Sequence, residues 1–313
     1  MSNPAVTTDP LLDTTTTHPA RCLCALHSRR LFTGLLAAGG AAALAGPAWA
    51  QQGLQGEVGN TSSFTKLVSA EEIEAAAAQQ YRQMLREAAA QRALAPKDHP
   101  QMVRLHAIAG RIIPHAPPWN GRAKQWQWEV NLIGNPKVNA FCMPGGKIAF
   151  FWGILQKLQL NDDEVATIMG HEAAHALREH ARERMGKTAA TRIGAGLVSS
   201  LLGLGGLGDA ALGMGAQLLT LQFSRSDETE ADLVGMELAA RAGYDPAAGV
   251  TLWQKMMAAS KGSPPQFLST HPAGDTRIKD IQEKLPKVQP LFAQAARPPR
   301  RFAPPPAATK VRQ

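Results

Sequence analysis

Apolar residues recur along this chain at two different periods, and the change of period divides it. Residues 70–94, rich in Ala, Glu, Gln and Arg, read as a helix. Ser69 with Glu72 three residues on is a capping-box signal for its start. Residues 99–113 read as a second helix, with Val103, Leu105, Ile108 and Ile112 at its apolar positions. Pro114 ends it and Pro117-Pro118 extend the loop. The period then shortens to two: Trp126, Trp128, Val130 and Leu132 alternate across residues 125–133, as in a half-buried strand. Residues 138–143 and 147–151 read as two more short strands, turned by Pro144-Gly145-Gly146. A small antiparallel sheet is the simplest arrangement of the three.

From Asn161 the helical period returns. Asn161 and Glu164 form a second capping box, and Asp162 and Asp163 suit the first turn through the helix dipole. This helix is predicted to run to about Met185. Residues 226–242, 246–260 and 275–285 read as further helices, and 262–272 as a loop. Residues 193–222 hold one charge, Asp209, and eight glycines. The break at Gly205-Gly206-Leu207-Gly208 leaves two apolar pieces, each short of the roughly 20 residues that span a bilayer. A helical hairpin packed on the domain is expected there. The predicted class is therefore α+β and mostly helical, with a small antiparallel sheet.

The ends differ from the body. Arg29-Arg30 precede an Ala-rich apolar stretch, and Ala48-Trp49-Ala50 has the small-x-small pattern of a signal-peptidase site. The paired arginines with Phe32 resemble a twin-arginine signal, although Thr33 and Gly34 replace its usual leucine and lysine. Four segments are predicted: an export signal over 1–50, a Gly/Ser/Asn-rich linker over 51–65, a folded domain over 66–286 and a basic, Pro-rich disordered tail over 287–313. The expected location is the periplasm. Of the three cysteines, Cys22 and Cys24 leave with the signal, so Cys142 has no internal disulfide partner.

Composition supports a real core: 44% of residues are hydrophobic and 19% charged, which excludes wholesale disorder. Of the net charge of +8, +1 falls in 1–50 and +6 in 287–313, leaving about +1 for the body. A near-neutral body argues against a nucleic-acid groove. The basic tail or the 193–222 hairpin offers peripheral contact with a membrane surface.

The chemistry lies in His171-Glu172-Ala173-Ala174-His175. Four residues of helix advance about 400°, so both imidazoles sit on one face a turn apart and can grip one metal ion. Glu172, about 100° round, stands beside the ligands and can serve as general base. Zinc suits such a set, because it takes nitrogen and oxygen ligands and keeps a fourth position for water. A third protein ligand is needed. The pattern HExxHxxGxxH fails, with Arg178 and Ala181 in its Gly and third His positions. A later helix supplies a glutamate in Ser224-Arg225-Ser226-Asp227-Glu228-Thr229-Glu230-Ala231-Asp232. Glu228 and Asp232 share a face, so Glu228 can bind metal while Asp232 accepts the far N–H of a ligand histidine. Glu230 points away and is expected in solvent. His180 points off the ligand face and is expected at the surface or behind the ligands.

HExxH on a helix followed at a distance by Ser-Arg-x-x-Glu-x-x-Ala-Asp resembles the gluzincin-type zinc peptidase family of the CAAX prenyl proteases, the HtpX-type membrane proteases and bacterial periplasmic quality-control proteases. Asn139-Ala140, Pro144-Gly145-Gly146-Lys147-Ile148, Gly153, Ser269-Thr270-His271-Pro272 and Arg277 extend the match over about 66–286. The resemblance implies a zincin-like fold, one zinc per chain held by His171, His175 and Glu228, and Glu172 as the base. His271 is a candidate for stabilising the oxyanion or filling the fourth zinc position, and Arg277 for pairing with the site. The expected activity is metalloendopeptidase hydrolysis of misfolded or envelope proteins, by Glu-assisted attack of zinc-bound water. The rival expectations are an envelope chaperone with secondary proteolysis and a membrane-surface scaffold.

Overall fold

The computed structural model describes residues 53–201, 218, 221–260, 265–272 and 276–307. The predicted export signal and most of 193–222 lie outside them. The described residues fall in the second of two units into which the chain divides, Trp49–Gln313. Helix α1 is Ala70–Ala90, begun by Ser69, whose side chain accepts from the Glu72 N–H. Helix α2 is Pro100–Ile112. It buries Leu105, Ile108 and Ile112 but leaves Val103 exposed.

Strands β1 (Glu129–Ile133), β2 (Ala140–Met143) and β3 (Lys147–Phe151) form one sheet in the order β1-β3-β2. The hairpin β2–β3 is antiparallel, pairing Met143 with Lys147 across the Pro144-Gly145-Gly146 turn. Both glycines there have positive φ, which glycine adopts without a Cβ penalty. The pair β1–β3 is parallel, so the sheet is mixed and not wholly antiparallel. Residues 134–139 carry the chain past the β3 position before β2 begins. They are pinned by the Gly134 N–H to Ala93 O and by the Gly153 N–H to Asn135 O. The central strand is then the one with a continuous apolar run, Ile148-Ala149-Phe150, buried throughout. Strand β1 starts at Glu129 and not at Gln125, because Trp126 and Trp128 turn their indole N–H groups to Glu74 and to Ala123 O.

Helices α3 (Trp152–Leu158) and α4 (Asp162–Leu177) follow. Both halves of the Asn161–Glu164 capping box are present. Arg104, buried on α2, locks this helix start by donating to Asp162 and to Leu160 O, each at 2.7 Å. Helix α4 ends at Leu177 and does not continue to Met185. Glu179 takes φ of 58°, and a new helix, α5 (His180–Leu201), sets off. The break is held by Asn120, which donates to Leu177 O, and by the two-point Arg182–Glu179 pair.

Helix α6 (Arg225–Arg241) begins with a complete Ser224–Asp227 capping box. It packs directly on α4 through Gly170 and Gly235. A Cβ on Gly235 would lie 2.6 Å from the His171 N, and one on Gly170 2.7 Å from Gly235 O. Helix α7 is Ala248–Ala259, and a short helix α8 (Gln266–Thr270) lies where a loop was expected.

Three expectations about the ends are corrected. Helix α9 (Arg277–Gln294) passes beyond Leu285, through Pro286 and Pro290, because Val288 and Leu291 are buried against the core. Tertiary packing there outweighs the lost hydrogen bonds. The described part of the tail is docked and not disordered: Arg301 pairs with Asp163 at 2.8 Å, and the Phe302 N–H donates to Asp162 at 2.8 Å. The segment expected to be a linker places Leu54 fully in the core, with its N–H on buried Glu237.

Candidate metal centre

The close α4–α6 crossing puts the predicted ligands in one buried group. His171, His175, Glu228 and His271 each offer a ligand atom, and all four atoms lie within 4.8 Å of one another. His175 Nε2 is 3.1 Å from His171 Nε2 and 3.4 Å from Glu228 Oε1. His171 Nε2 is 3.5 Å from Glu228 Oε2 and 3.4 Å from His271 Nδ1. Zinc with bonds of about 2.0–2.2 Å separates tetrahedral ligand atoms by about 3.3–3.6 Å. The donor types and spacings therefore fit one zinc ion.

The surrounding charges prepare these groups. Burial pushes the His175 pKa well below its usual value, which keeps the imidazole neutral, the form that binds metal. Burial resists ionisation of Glu228, but hydrogen bonds from His175 and His271 hold its carboxyl far below the usual carboxylate range. Asp232 sits as expected, 3.0 Å from His171 Nδ1. Burial opposes its charge too, yet Arg277 and His171 hold it low. Arg277 reaches Asp232 at 2.5 Å and Glu228 at 2.7 Å, and its guanidinium lies 3.7 Å from the centre of the Trp253 ring.

Glu172 is 2% exposed, and burial raises its pKa against the pull of His271 and His171. Its Oε1 has no hydrogen-bond partner. It lies 3.5 Å from His271 Nε2. Burial disfavours charge on His271, but Glu172 and Glu228 raise its pKa overall. The Glu172 carboxylate lines a cavity of about 140 Å³, walled by Phe141, Phe151, Leu218, Leu221 and Phe223 and by residues of β2. Strand β2 is the sheet edge on this side, since it pairs with β3 alone among the described strands. Asn139 Oδ1 and Gln266 Oε1, also in this lining, are buried without a partner.

Glu230 stands elsewhere than expected, and His180 takes the second of its two expected places, behind the ligands. Glu230 is not in open solvent. It accepts from Arg178 Nε at 2.6 Å and lies 3.0 Å from His180 Nε2. His180 is 1% exposed, with its Nδ1 2.9 Å from His175 Nδ1. Because α4 stops at Leu177, α5 brings His180 in behind the ligands. Sequence reasoning also missed Phe223, whose ring stacks on His175 at 3.9 Å, and Phe267, which stacks on His271 at 4.4 Å. Phe223 precedes the Ser224 cap, where an apolar residue is an ordinary staple, so nothing in the pattern set it apart.

Residues 100–285 match the model of peptidase family M48. The chain is 37% identical over 197 residues to the mitochondrial metalloendopeptidase OMA1 of Schizosaccharomyces pombe, covering 62% of this chain and 56% of that one. It is 30% identical over 217 residues to the Saccharomyces cerevisiae protein of that name, covering 66% and 62%. It is 29% identical over 203 residues to the beta-barrel assembly-enhancing protease of Escherichia coli K12, covering 61% and 40%. The matches thus span roughly half the length of these relatives.

Proposed function

This chain belongs to peptidase family M48, and from that premise we propose that it is a zinc metalloendopeptidase acting on misfolded or envelope proteins after export to the periplasm. The observation that carries the reading is the unpartnered Glu172 oxygen. Glu172 lines a cleft together with His271, one of the four clustered metal-ligand candidates, and with the free edge of β2.

In this reading His171, His175 and Glu228 hold the metal, and Asp232 with Arg277 keeps His171 and Glu228 in place. Zinc, when bound, polarises the scissile carbonyl and makes water acidic enough to ionise near neutral pH. Glu172 takes the proton of the attacking water and passes it to the leaving amine nitrogen. Its raised pKa suits both halves of that transfer. An extended substrate adds to the β2 edge through main-chain hydrogen bonds, and the apolar walls receive its side chains. His271, whose Nδ1 lies among the ligand atoms, would be the residue able to hold the metal's remaining position in the absence of substrate.

The periplasmic assignment rests on the 1–50 leader. Among the described residues no helix is long and apolar enough to cross a membrane. The test pairs metal content with cleavage of an unfolded protein, for wild type and Glu172→Gln. Both are expected to hold about one zinc, with only the wild type cutting. Wild type that binds zinc without cutting, or cutting that survives in Glu172→Gln, refutes the assignment.

A further inference from the structure

The two ligand histidines are held from behind by different devices. His171 has the predicted carboxylate, Asp232, at its Nδ1. Among the described residues no carboxylate meets the His175 Nδ1. Its Nδ1 faces His180 Nδ1 at 2.9 Å, and His180 Nε2 faces Glu230 Oε2 at 3.0 Å. Glu230 Oε1 in turn accepts from Arg178 Nε at 2.6 Å, and Arg178 also donates to Gly59 O. Phe223 closes the ring face of His175. His175 and His180 are each at most 2% exposed.

Hydrogen-bond direction along this row has only one solution compatible with a metal. A neutral imidazole carries one N–H and one acceptor nitrogen. His175 must present a bare Nε2 to bind metal, so its proton is on Nδ1. His180 must then accept at Nδ1 and carry its own proton on Nε2. An ionised carboxylate can only accept, so Glu230 at Nε2 selects that tautomer of His180. The opposite direction would put the proton of His175 on Nε2 and abolish its ligand character. Arg178 donates to the same carboxylate at 2.6 Å, the pairing expected of a carboxylate acceptor.

We propose that His180, locked by Glu230 and Arg178, is a positioning residue that fixes His175 as an Nε2 metal ligand, doing for His175 what Asp232 does for His171. The inference rests on the zinc reading above. It assigns a use to the helix break at Glu179, since an unbroken helix would carry His180 off the ligand face. It also ties the metal site to the segment at Gly59.

The test is zinc affinity of the purified protein by chelator competition, together with the visible spectrum of the cobalt-substituted form and the melting temperature of the apo form. His180→Leu is expected to weaken zinc about 10–100-fold, the usual effect of losing a partner behind a ligand, and to alter the cobalt spectrum. His180→Gln, whose amide oxygen can accept from His175 and whose amide N–H can reach Glu230, is expected to recover most of the loss. Glu230→Gln, at a partly buried position, is expected to fall between them, because an amide no longer dictates the direction. If His180→Leu does not fold, Glu230→Gln and His180→Gln decide the matter. Wild-type zinc affinity in both Glu230→Gln and His180→Leu, or a His180→Gln protein as weak as His180→Leu, overturns the inference. A zinc loss that merely follows a drop in apo melting temperature overturns it in favour of packing. Wild type that binds no zinc fails the metal reading itself, whereas tight wild-type binding with unaffected variants fails only this inference.

Discussion

The positions of Glu228 and Asp232 depend on one guanidinium. Arg277 spans both carboxylates, lies on Trp253 and is 6% exposed. Removing one member of a buried ion pair leaves an uncompensated charge and costs about 3–5 kcal/mol. Arg277→Leu is expected to lose stability of that order in urea unfolding and to weaken zinc binding. Arg277→Lys should be intermediate, since an ammonium keeps the charge but cannot fork between two carboxylates. Unchanged unfolding of Arg277→Leu would show that the carboxylates are satisfied without it. At this scale the sequence was most legible where one helix carries the chemistry. His171, Glu172 and His175 follow from a four-residue offset, and Glu228 and Asp232 from the same offset on a second helix. His180 and Glu230 did not, because their meeting needs a change of helix direction that no glycine or proline announces.

Among elements, the decisive contact is the crossing of α4 and α6. Gly170 and Gly235 let the two backbones approach, and that approach brings Glu228 to within 3.4 Å of His175 and 3.5 Å of His171. A methyl at Gly235 would meet the His171 backbone at 2.6–2.8 Å, where no flexible side chain can give way. Gly235→Ala is therefore expected to cost about 1–3 kcal/mol, as overpacking does, and to reduce zinc affinity along with it. A variant that keeps wild-type zinc affinity would mean that the helices can part without moving Glu228. The helix starts were legible because caps are local: Asn161 with Glu164 and Ser224 with Asp227 both close as boxes. The helix ends were less so. Helix α4 stopped early and α9 continued past two prolines, each for reasons that lie in distant residues such as Asn120 and the partners of Val288.

For the whole molecule, the centre gathers groups from four separate stretches of chain: α4, α6, the residues after α8 and the start of α9. Glu228 is held by Arg277 and by His271, and the two helix histidines by Asp232 and His180 behind them. Zinc binding to the folded form alone would add about 4 kcal/mol when free metal exceeds its dissociation constant 1,000-fold. Chelation is accordingly expected to lower the melting temperature, and re-addition of zinc to restore it. A melting temperature indifferent to chelator would show that the cluster does not hold metal tightly. The ends belong to this scale as well. Leu54 fills a core position and the Phe302 N–H donates to Asp162 at the start of α4, so segments that compose like a linker and a tail are parts of the fold.

The sequence by itself determined the class of chemistry. Residue types at helical spacing pick out His171, Glu172, His175, Glu228 and Asp232, which the structure gathers in one place, since a helix converts spacing into direction without help from the rest of the chain. Composition and periodicity likewise determined a mostly helical domain with three short strands. Only the tertiary structure decided that β1 runs parallel to β3, that the tail docks, that His271 and Arg277 enter the centre and that His180 stands behind His175. Those outcomes turn on which surfaces meet after the helices and strands have formed. Contact between residues a hundred positions apart depends on packing, and packing leaves no period in the sequence.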